Sequence, residues 1–116
     1  MRVDIRVHDI DCTDALRQHL ERRLRFALGR FDGRVLRVTA RLADVNGPRG
    51  GADKRCQLRA LLRPAAQVVV DDTDADLYAA IDRATERMGR AVTRAVQRAR
   101  AMAAPATRRA PDWSAL

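Results

Sequence analysis

The sequence predicts an α+β domain with the element order β-α-β-β-β-α, in which one four-stranded sheet carries both helices on a single face. Two periodicities predict it. Four short segments alternate apolar and polar residues, as half-buried strands do, and two longer segments repeat apolar residues every three or four positions, as amphipathic helices do. The 116 residues suffice for one core, so we expect a single domain.

The first strand and the first helix come from the N-terminal third of the chain. Residues 2 to 8 alternate, with Val3, Ile5 and Val7 on one face. Thr13 followed by Asp14 is a favourable N-cap with an acidic residue in the first turn. The helix that follows is ended by the segment RFDGR. Its apolar face consists of Leu16, Leu20, Leu24, Ala27, Leu28 and Phe31.

Three further strands follow the first helix. The inward positions of the second strand are predicted to be Leu36, Val38, Ala40 and Leu42, and those of the third are Cys56, Leu58, Ala60 and Leu62. Pro64 ends the third strand, and AQVVVDD predicts a short fourth strand with Val68 and Val70 inward. Three of the strands have a polar, arginine-bearing face, so both helices are expected to cover the opposite, apolar face of the sheet.

A long helix and a tail complete the chain. DTDAD supplies capping side chains, and the apolar stripe that follows continues for about six turns. The stripe consists of Leu77, Ala80, Ile81, Ala84, Met88, Ala91, Val92, Ala95 and Ala99. The period is lost in AMAAPATRRAPDWSAL, which contains two prolines. We therefore divide the chain into an α+β domain of residues 1–102 and a flexible C-terminal tail of residues 103–116.

The charge indicates an anionic partner. The formal net charge is +8 and the sequence pI is near 11.2, a balance that suits nucleic acid, an anionic membrane surface or an acidic protein, with nucleic acid favoured. No apolar run is long enough to span a membrane, and the N-terminus has no signal-peptide pattern, so we expect a soluble cytoplasmic protein. Cys12 and Cys56 are too few for a disulfide framework, and we interpret both as small buried apolar residues.

Five arginines of the long helix form a row on one flank. Their spacing places them within an arc of about 80°, centred about 100° from the middle of the apolar stripe, over a length of about 22 Å. The helix dipole explains why basic residues favour the C-terminal half of a helix, but it does not confine them to one flank. This row, the arginine ridge, consists of Arg83, Arg87, Arg90, Arg94 and Arg98. We interpret it as a phosphate-binding surface. Two interpretations of Arg22 and Arg25 of the first helix stay open: they extend this surface, or they are merely solvated residues.

The segment NGPRGGADKRC, residues 46 to 56, holds the only lysine of the chain, Lys54. It joins two antiparallel strands, and its glycines and proline suit a long hairpin turn. It does not match the phosphate-loop pattern and precedes a strand rather than a helix, so a nucleotide-binding loop is unfavourable. Two interpretations stay open, a second RNA-contacting loop carrying Arg49, Lys54 and Arg55, or a plain structural hairpin.

Groups for catalysis or metal binding are scarce in the sequence. The only serine is Ser114, no cysteine has an evident histidine partner, and neither C-x-x-C nor H-x-x-x-H occurs. We therefore predict a protein that is not an enzyme, with no catalytic residue, metal, cofactor or small-molecule substrate. None of the aromatic residues lies in a predicted strand, which favours recognition of nucleic-acid backbone and shape over base stacking.

Two segments resemble the ribosome hibernation-promoting factor and ribosome-associated inhibitor family, also described as sigma-54 modulation proteins. They are VDIRVHDIDCTDALRQHLERRL and DLYAAIDRATERMGRAVTRAVQRAR, of which DLYAAID at residues 76 to 82 is the most specific. The resemblance covers roughly residues 1 to 100. It implies a domain similar in shape to double-stranded-RNA-binding domains that lies in the decoding channel of the small ribosomal subunit and blocks mRNA and tRNA under stress. It assigns the contacts with rRNA to Arg22, Arg25 and the arginine ridge.

The chain departs from the family pattern in two places. The turn between the second and third strands is longer than in common members, and the sequence shows no second domain of the kind that long members use to pair ribosomes. We therefore expect a short-form factor, monomeric on the ribosome, whose partners are the small subunit and its rRNA, without a membrane partner. Two other functions stay open, a general double-stranded-RNA-binding protein and a protein-interaction module for an acidic partner.

Overall fold

The computed structural model describes residues 1–45 and 53–114, with side chains described as far as residue 101. The strands are β1 (Arg2–His8), β2 (Val35–Asp44), β3 (Lys54–Leu62) and β4 (Ala66–Asp74), and the helices are α1 (Asp14–Leu28) and α2 (Leu77–Ser114). A short 3-10 turn at Gly29–Phe31 continues from α1. The element order β-α-β-β-β-α is therefore confirmed.

The four strands form one sheet in the order β1-β2-β3-β4. Strands β1 and β2 are parallel because α1 carries the chain across between them, whereas the other two pairings are antiparallel. One row of inward residues, Ile5, Ala40, Leu58 and Val70, crosses all four strands in register. This apolar row shows that a single face of the sheet is buried, as the alternation predicts.

Both helices pack on that apolar face. Leu20, Leu24 and Leu28 of α1 and Ile81 and Met88 of α2 are fully buried against it. Burial of each large apolar side chain contributes about 1.5 to 3 kcal/mol, so this layer supplies most of the free energy that holds the helices in place. Val96 and the hydroxyl-bearing Thr85 are buried as well, although the predicted stripe of the long helix did not include them.

Side-chain oxygens cap the start of each helix. The Thr13 hydroxyl accepts a hydrogen bond from the Leu16 backbone N–H at 3.1 Å, as predicted. At the start of α2, an Asp76 carboxylate oxygen accepts from the Tyr78 N–H at 3.0 Å, and one from Asp74 accepts from the Asp76 N–H at 2.9 Å. The acidic cluster before α2 is thus a capping cluster only in part, because its first acids lie within β4.

Two sequence-based assignments of side chains are wrong. Leu36 was expected inside, but Val35 is buried and Leu36 is 48% exposed. A register irregularity between Val35 and Arg37 shifts the alternation at the start of β2, which local apolar patterning does not reveal. Cys12 is only half-buried just before the helix cap, whereas Cys56 is fully buried and burial raises the pKa of its thiol to about 12.

The final helix is longer than the sequence predicts. Two prolines led us to expect its end near residue 102, because proline disfavours a helix interior, but α2 extends to Ser114. The division into a domain of residues 1–102 and a flexible tail stays a prediction. Within the part of the chain that the structure describes, no helix combines the length and apolarity that crossing a membrane requires.

The two helices lie close together where a glycine of α2 faces an alanine of α1. A Cβ atom built on Gly89 would lie 3.3 Å from the Cβ of Ala27 and 3.4 Å from its carbonyl oxygen. Such distances are tighter than ordinary van der Waals contact, so a larger side chain at this position must push the helices apart. Gly89 therefore fixes the spacing of α1 and α2.

We predict that Gly89→Leu lowers the free energy of unfolding by about 1 to 3 kcal/mol, because the added side chain overpacks the contact between the helices. Gly29→Leu is the matched control, since a Cβ at Gly29 meets nothing within 4 Å and the backbone there is helical. Denaturant unfolding of both variants checks the prediction. Equal stability of the two variants would contradict it.

Candidate nucleic-acid interface

The arginine ridge lies along the outer flank of α2, where all five of its side chains are exposed. Its first member is bound within the protein. Arg83 donates to a carboxylate oxygen of Asp72 at 3.1 Å, to one of Asp74 at 2.7 Å and to the backbone carbonyl of Thr73 at 3.0 Å. These bonds fasten the first turns of α2 to the end of β4.

The same contacts shift the ionisation of the groups involved. Hydrogen bonds to Asp72 and Asp74 raise the pKa of Arg83. The pKa of Asp74 is lowered, first by the hydrogen bond from the Asp76 backbone and then by the one from Arg83. Arg83 is therefore charged and already paired, with little capacity left for an external anion.

Further along α2 the ridge becomes free of internal partners. Arg87 still donates to the backbone carbonyl of Asp71 at 2.8 Å. For Arg90, Arg94 and Arg98, however, the described part of the chain offers no hydrogen bond or ion pair. These three residues, the outer arginines, span about 12 Å along the helix at about 1.5 Å per residue. Their side chains are exposed, which leaves the guanidiniums open to an external anion.

A groove of about 690 Å³ separates the outer sides of α1 and α2. Four arginines line it, two from each side, and Phe26 of α1 stands at its rim with 86% of its surface exposed. Arg30 donates to the Thr93 hydroxyl at 3.0 Å, which ties the end of α1 to α2. The arginines of the groove are Arg23, Arg30, Arg90 and Arg94.

The acidic residues of α2 that face α1 are paired within the chain. Asp82 lies 2.7 Å from the His19 ring nitrogen Nε2 and 3.3 Å from Arg23 Nε, and Glu86 lies 3.4 Å from Arg23 Nη2. The ring of His19 also packs edge-on against Tyr78, with centroids 4.9 Å apart. These pairs occupy the acids along the interface of the two helices, so neither Asp82 nor Glu86 is paired with the outer arginines.

The predicted arginines of the first helix do not both join this surface. Arg22 and Arg25 are exposed, and no described residue bonds to either side chain. At about 100° per residue, Arg25 lies about 160° around α1 from Arg23, which faces α2. Arg22 is about 100° from Arg23, on the outward side. Arg22 is not among the residues that line the groove, and the helical angle puts Arg25 on the far flank of α1.

The predicted loop residues lie on the sheet, apart from the ridge. Lys54 pairs with Asp44 at 2.7 Å. Arg55 binds both carboxylate oxygens of Asp71, with distances of 2.9 and 3.1 Å from its Nε, and this contact lowers the pKa of Asp71. Arg49 is outside the described residues. Lys54 and Arg55 therefore have internal partners, which is typical of a structural hairpin base, and their contact with RNA stays a prediction.

Sequence reasoning missed several members of the candidate surface. Arg23 and Arg30 are seven residues apart and lie on the same face of the chain as Ala27. Their position beside the second helix could have been predicted only if the contact of Ala27 with that helix had been known. Phe26 gave no signal, because it fell between the apolar positions of α1. In the described residues, no group of three His, Cys, Asp or Glu side chains is arranged to hold a metal ion.

The fold and the outer arginines together define a basic α+β domain with a row of exposed arginines along one helix flank. The family model described as sigma 54 modulation protein / S30EA ribosomal protein matches residues 3–100, and the chain belongs to this family. The resemblance noted in the sequence is thereby confirmed. None of the curated protein sequences is significantly similar to the chain.

Two solved structures are similar to the whole domain. The N-terminal domain of Thermus thermophilus Protein Y is 32% identical, with a TM-score of 0.69, and the match covers 81% of this chain and 98% of that one. A ribosomal subunit interface protein from Coxiella burnetii is 15% identical, with a TM-score of 0.70, over 84% of this chain and 99% of that one. The second similarity shows the fold alone.

We predict that Arg83→Ala lowers the thermal midpoint of unfolding at neutral pH, because it leaves the largely buried Asp72 and the Asp74 carboxylate without their main cation. Arg98→Ala, which removes an arginine that has no partner among the described residues, should leave the midpoint unchanged. The pKa of Asp74 is lowered on folding, so the stabilisation is complete above its ordinary value of 3.8 and is lost as the pH falls below it.

Thermal melts of wild type, Arg83→Ala and Arg98→Ala from pH 7 to pH 3 test this prediction. The difference between wild type and Arg83→Ala should shrink at the acidic end, where Asp74 is protonated and its ion pair with Arg83 is lost. A difference that is independent of pH would show that the arginine acts by packing alone.

Proposed function

We propose that the protein is a ribosome-associated translation inhibitor that binds rRNA in the decoding channel of the small subunit and blocks mRNA and tRNA sterically. Family membership indicates a ribosome-associated protein. One similar structure is named as a ribosomal subunit interface protein. The observation that carries the finer proposal is a row of three arginines, Arg90, Arg94 and Arg98, that have no partner among the described residues and lie on a helix packed against the sheet.

The chemistry of this row suits an RNA backbone. Each guanidinium donates two parallel hydrogen bonds to a phosphate, and the planar fork loses less conformational freedom than a lysine on binding. Phosphates recur along a strand, so a row of about 12 Å can contact two or three of them. Binding releases the counterions of those phosphates, and the net charge of +8 attracts the polyanion over a longer range.

The bonds of Arg83 and Arg87 support the row indirectly. They fix the orientation of α2 on β4 before any RNA is bound, so association does not have to order the helix. Pre-organisation of this kind improves affinity because less conformational entropy is lost on binding. In this proposal Arg83 is a positioning residue and the outer arginines make the contacts.

Inhibition in this mechanism requires no chemical step. A domain seated in the channel occupies the space that mRNA and tRNA need, and its departure restores translation. The proposal places the protein in the cytoplasm as a monomer on the small subunit, with stress as the occasion for binding. Because phosphate contacts dominate, affinity should fall steeply with rising salt concentration.

We predict that Arg90→Glu/Arg94→Glu weakens binding to purified small subunits by roughly 10- to 100-fold, because each substitution replaces a phosphate contact by a repulsion. Arg17→Glu/Arg63→Glu makes the same change in net charge at exposed positions away from the ridge and should bind within about 3-fold of wild type. Sedimentation with subunits at several salt concentrations measures both variants.

Equal binding by the two variants would remove the ridge from the mechanism. Free duplex RNA, added as competitor, separates the other functions. Release of wild-type protein by duplex RNA would identify a general double-stranded-RNA-binding protein, and complexes that resist ribonuclease would identify an acidic protein partner. Retention on the subunit in the presence of duplex RNA is the outcome that the proposal requires.

A further inference from the structure

The face of the sheet that turns away from the helices is strongly basic. Because the inward strand residues are covered by the helices, the alternate positions of β1, β2 and β3 point outward. The outward arginines are Arg2, Arg6, Arg37, Arg41, Arg55 and Arg59. On these four strands only two carboxylates, Asp4 and Asp71, share this face. The open face therefore has more guanidiniums than its own acids can neutralise.

The two acids divide the arginines into two groups. Asp4 lies 3.4 Å from both Arg2 and Arg37, so it bridges this pair. Asp71 binds Arg55 through both of its carboxylate oxygens.

Three arginines of this face are paired with neither acid. Arg6, Arg41 and Arg59 make no hydrogen bond and no ion pair with any of the residues that the structure describes. We call these three residues the sheet arginines.

The sheet arginines surround one point. Arg6 and Arg41 are direct neighbours on the parallel strands β1 and β2, whose spacing is about 4.8 Å. Arg59 lies diagonally from Arg41 on β3, because its own partner in the register is Thr39. The three side chains line a hollow of about 130 Å³ together with Thr39 and Gln57. The hollow has room for one phosphate group, with guanidinium and hydroxyl donors around it.

This arrangement is unfavourable in the isolated protein. Like charges placed directly opposite each other on neighbouring strands are destabilising. The pair Arg2 and Arg37 has the same cross-strand geometry, but the Asp4 carboxylate lies 3.4 Å from each guanidinium and offsets part of their repulsion. The pair Arg6 and Arg41 has no such acid, so an external anion would relieve its repulsion.

We propose that the sheet arginines bind a backbone phosphate of RNA, so that the domain holds one RNA segment on α2 and a second on the open face of the sheet. An RNA backbone fits this surface better than an acidic protein does, because the three arginines line a single small hollow whose size suits one phosphate group. The site is on the opposite side of the sheet from the helices and does not depend on the arginine ridge. It therefore goes beyond the proposed function.

The chain offers a matched pair of variants for the test. Arg6→Ala/Arg41→Ala and Arg2→Ala/Arg37→Ala remove the same charge from the same two strands and the same face. The first should weaken binding to purified small subunits about tenfold. It should also reduce the slope of log affinity against log salt by about 0.7 to 0.9 for each phosphate that the variant no longer binds. The second should bind within about 3-fold of wild type.

Thermal melts provide a second readout. Removal of an unneutralised like-charge pair should leave the midpoint of Arg6→Ala/Arg41→Ala equal to or above that of wild type, so weaker binding cannot be attributed to unfolding. If the two double variants weakened binding equally, the loss would be due to the reduced net charge alone, and the proposed phosphate site would be contradicted. Unchanged binding by Arg6→Ala/Arg41→Ala would overturn it directly.

The test also separates this site from the proposed function. Loss of binding only in Arg90→Glu/Arg94→Glu, measured in the same assay, would keep the ridge and exclude the sheet site. Loss only in Arg6→Ala/Arg41→Ala would keep the sheet site and contradict the ridge. Loss in both variants, with both controls unaffected, is the result expected if the domain is held between two RNA segments.

Discussion

Burial of one face of the sheet beneath the two helices is the constraint on which the rest of the structure depends. Leu58 and Val38 at the centre of the sheet meet Leu24 of α1 and Met88 of α2 in a single apolar layer. A chain with 22 arginines and one lysine, the 23 basic residues, must keep this charge outside that layer. The cationic groups are consequently confined to two exteriors, the outer sides of the helices and the open face of the sheet.

The few acidic residues then decide which arginines remain available. Asp72 and Asp74 bind Arg83. Other acids bind arginines in the same way, including Asp82 at the helix interface and Asp4 and Asp71 on the sheet. The arginines held in this way are structural, since they fasten β4 to α2 and α1 to α2. Among the arginines that make no hydrogen bond or ion pair with a described residue, three lie together on the flank of α2 and three on the open face of the sheet. The pairing, rather than the total charge, therefore distinguishes arginines that hold the elements together from arginines that are open to an external partner.

Periodicity predicted most of the fold, because a sheet buried on one face and amphipathic helices both require apolar residues at regular spacings in the sequence. The alternation of apolar and polar residues correctly predicted strands β1 and β3, and Thr13 correctly predicted the start of α1. The register irregularity that turns Leu36 outward was not predictable, since it depends on pairing with β3. The spacing of the ridge also followed from the sequence. The pairing of Arg83 did not, because its partners lie on another element and meet it only after the chain folds back.

The central claim is that the outer arginines of α2 hold the protein on rRNA where mRNA and tRNA would bind. Chemical footprinting of small-subunit rRNA, with and without the protein, tests it most directly. The account predicts protected nucleotides concentrated in the decoding channel, together with exclusion of tRNA from the same subunits. Protection confined to the outer surface of the subunit, or tRNA binding that persists on subunits saturated with the protein, would contradict it.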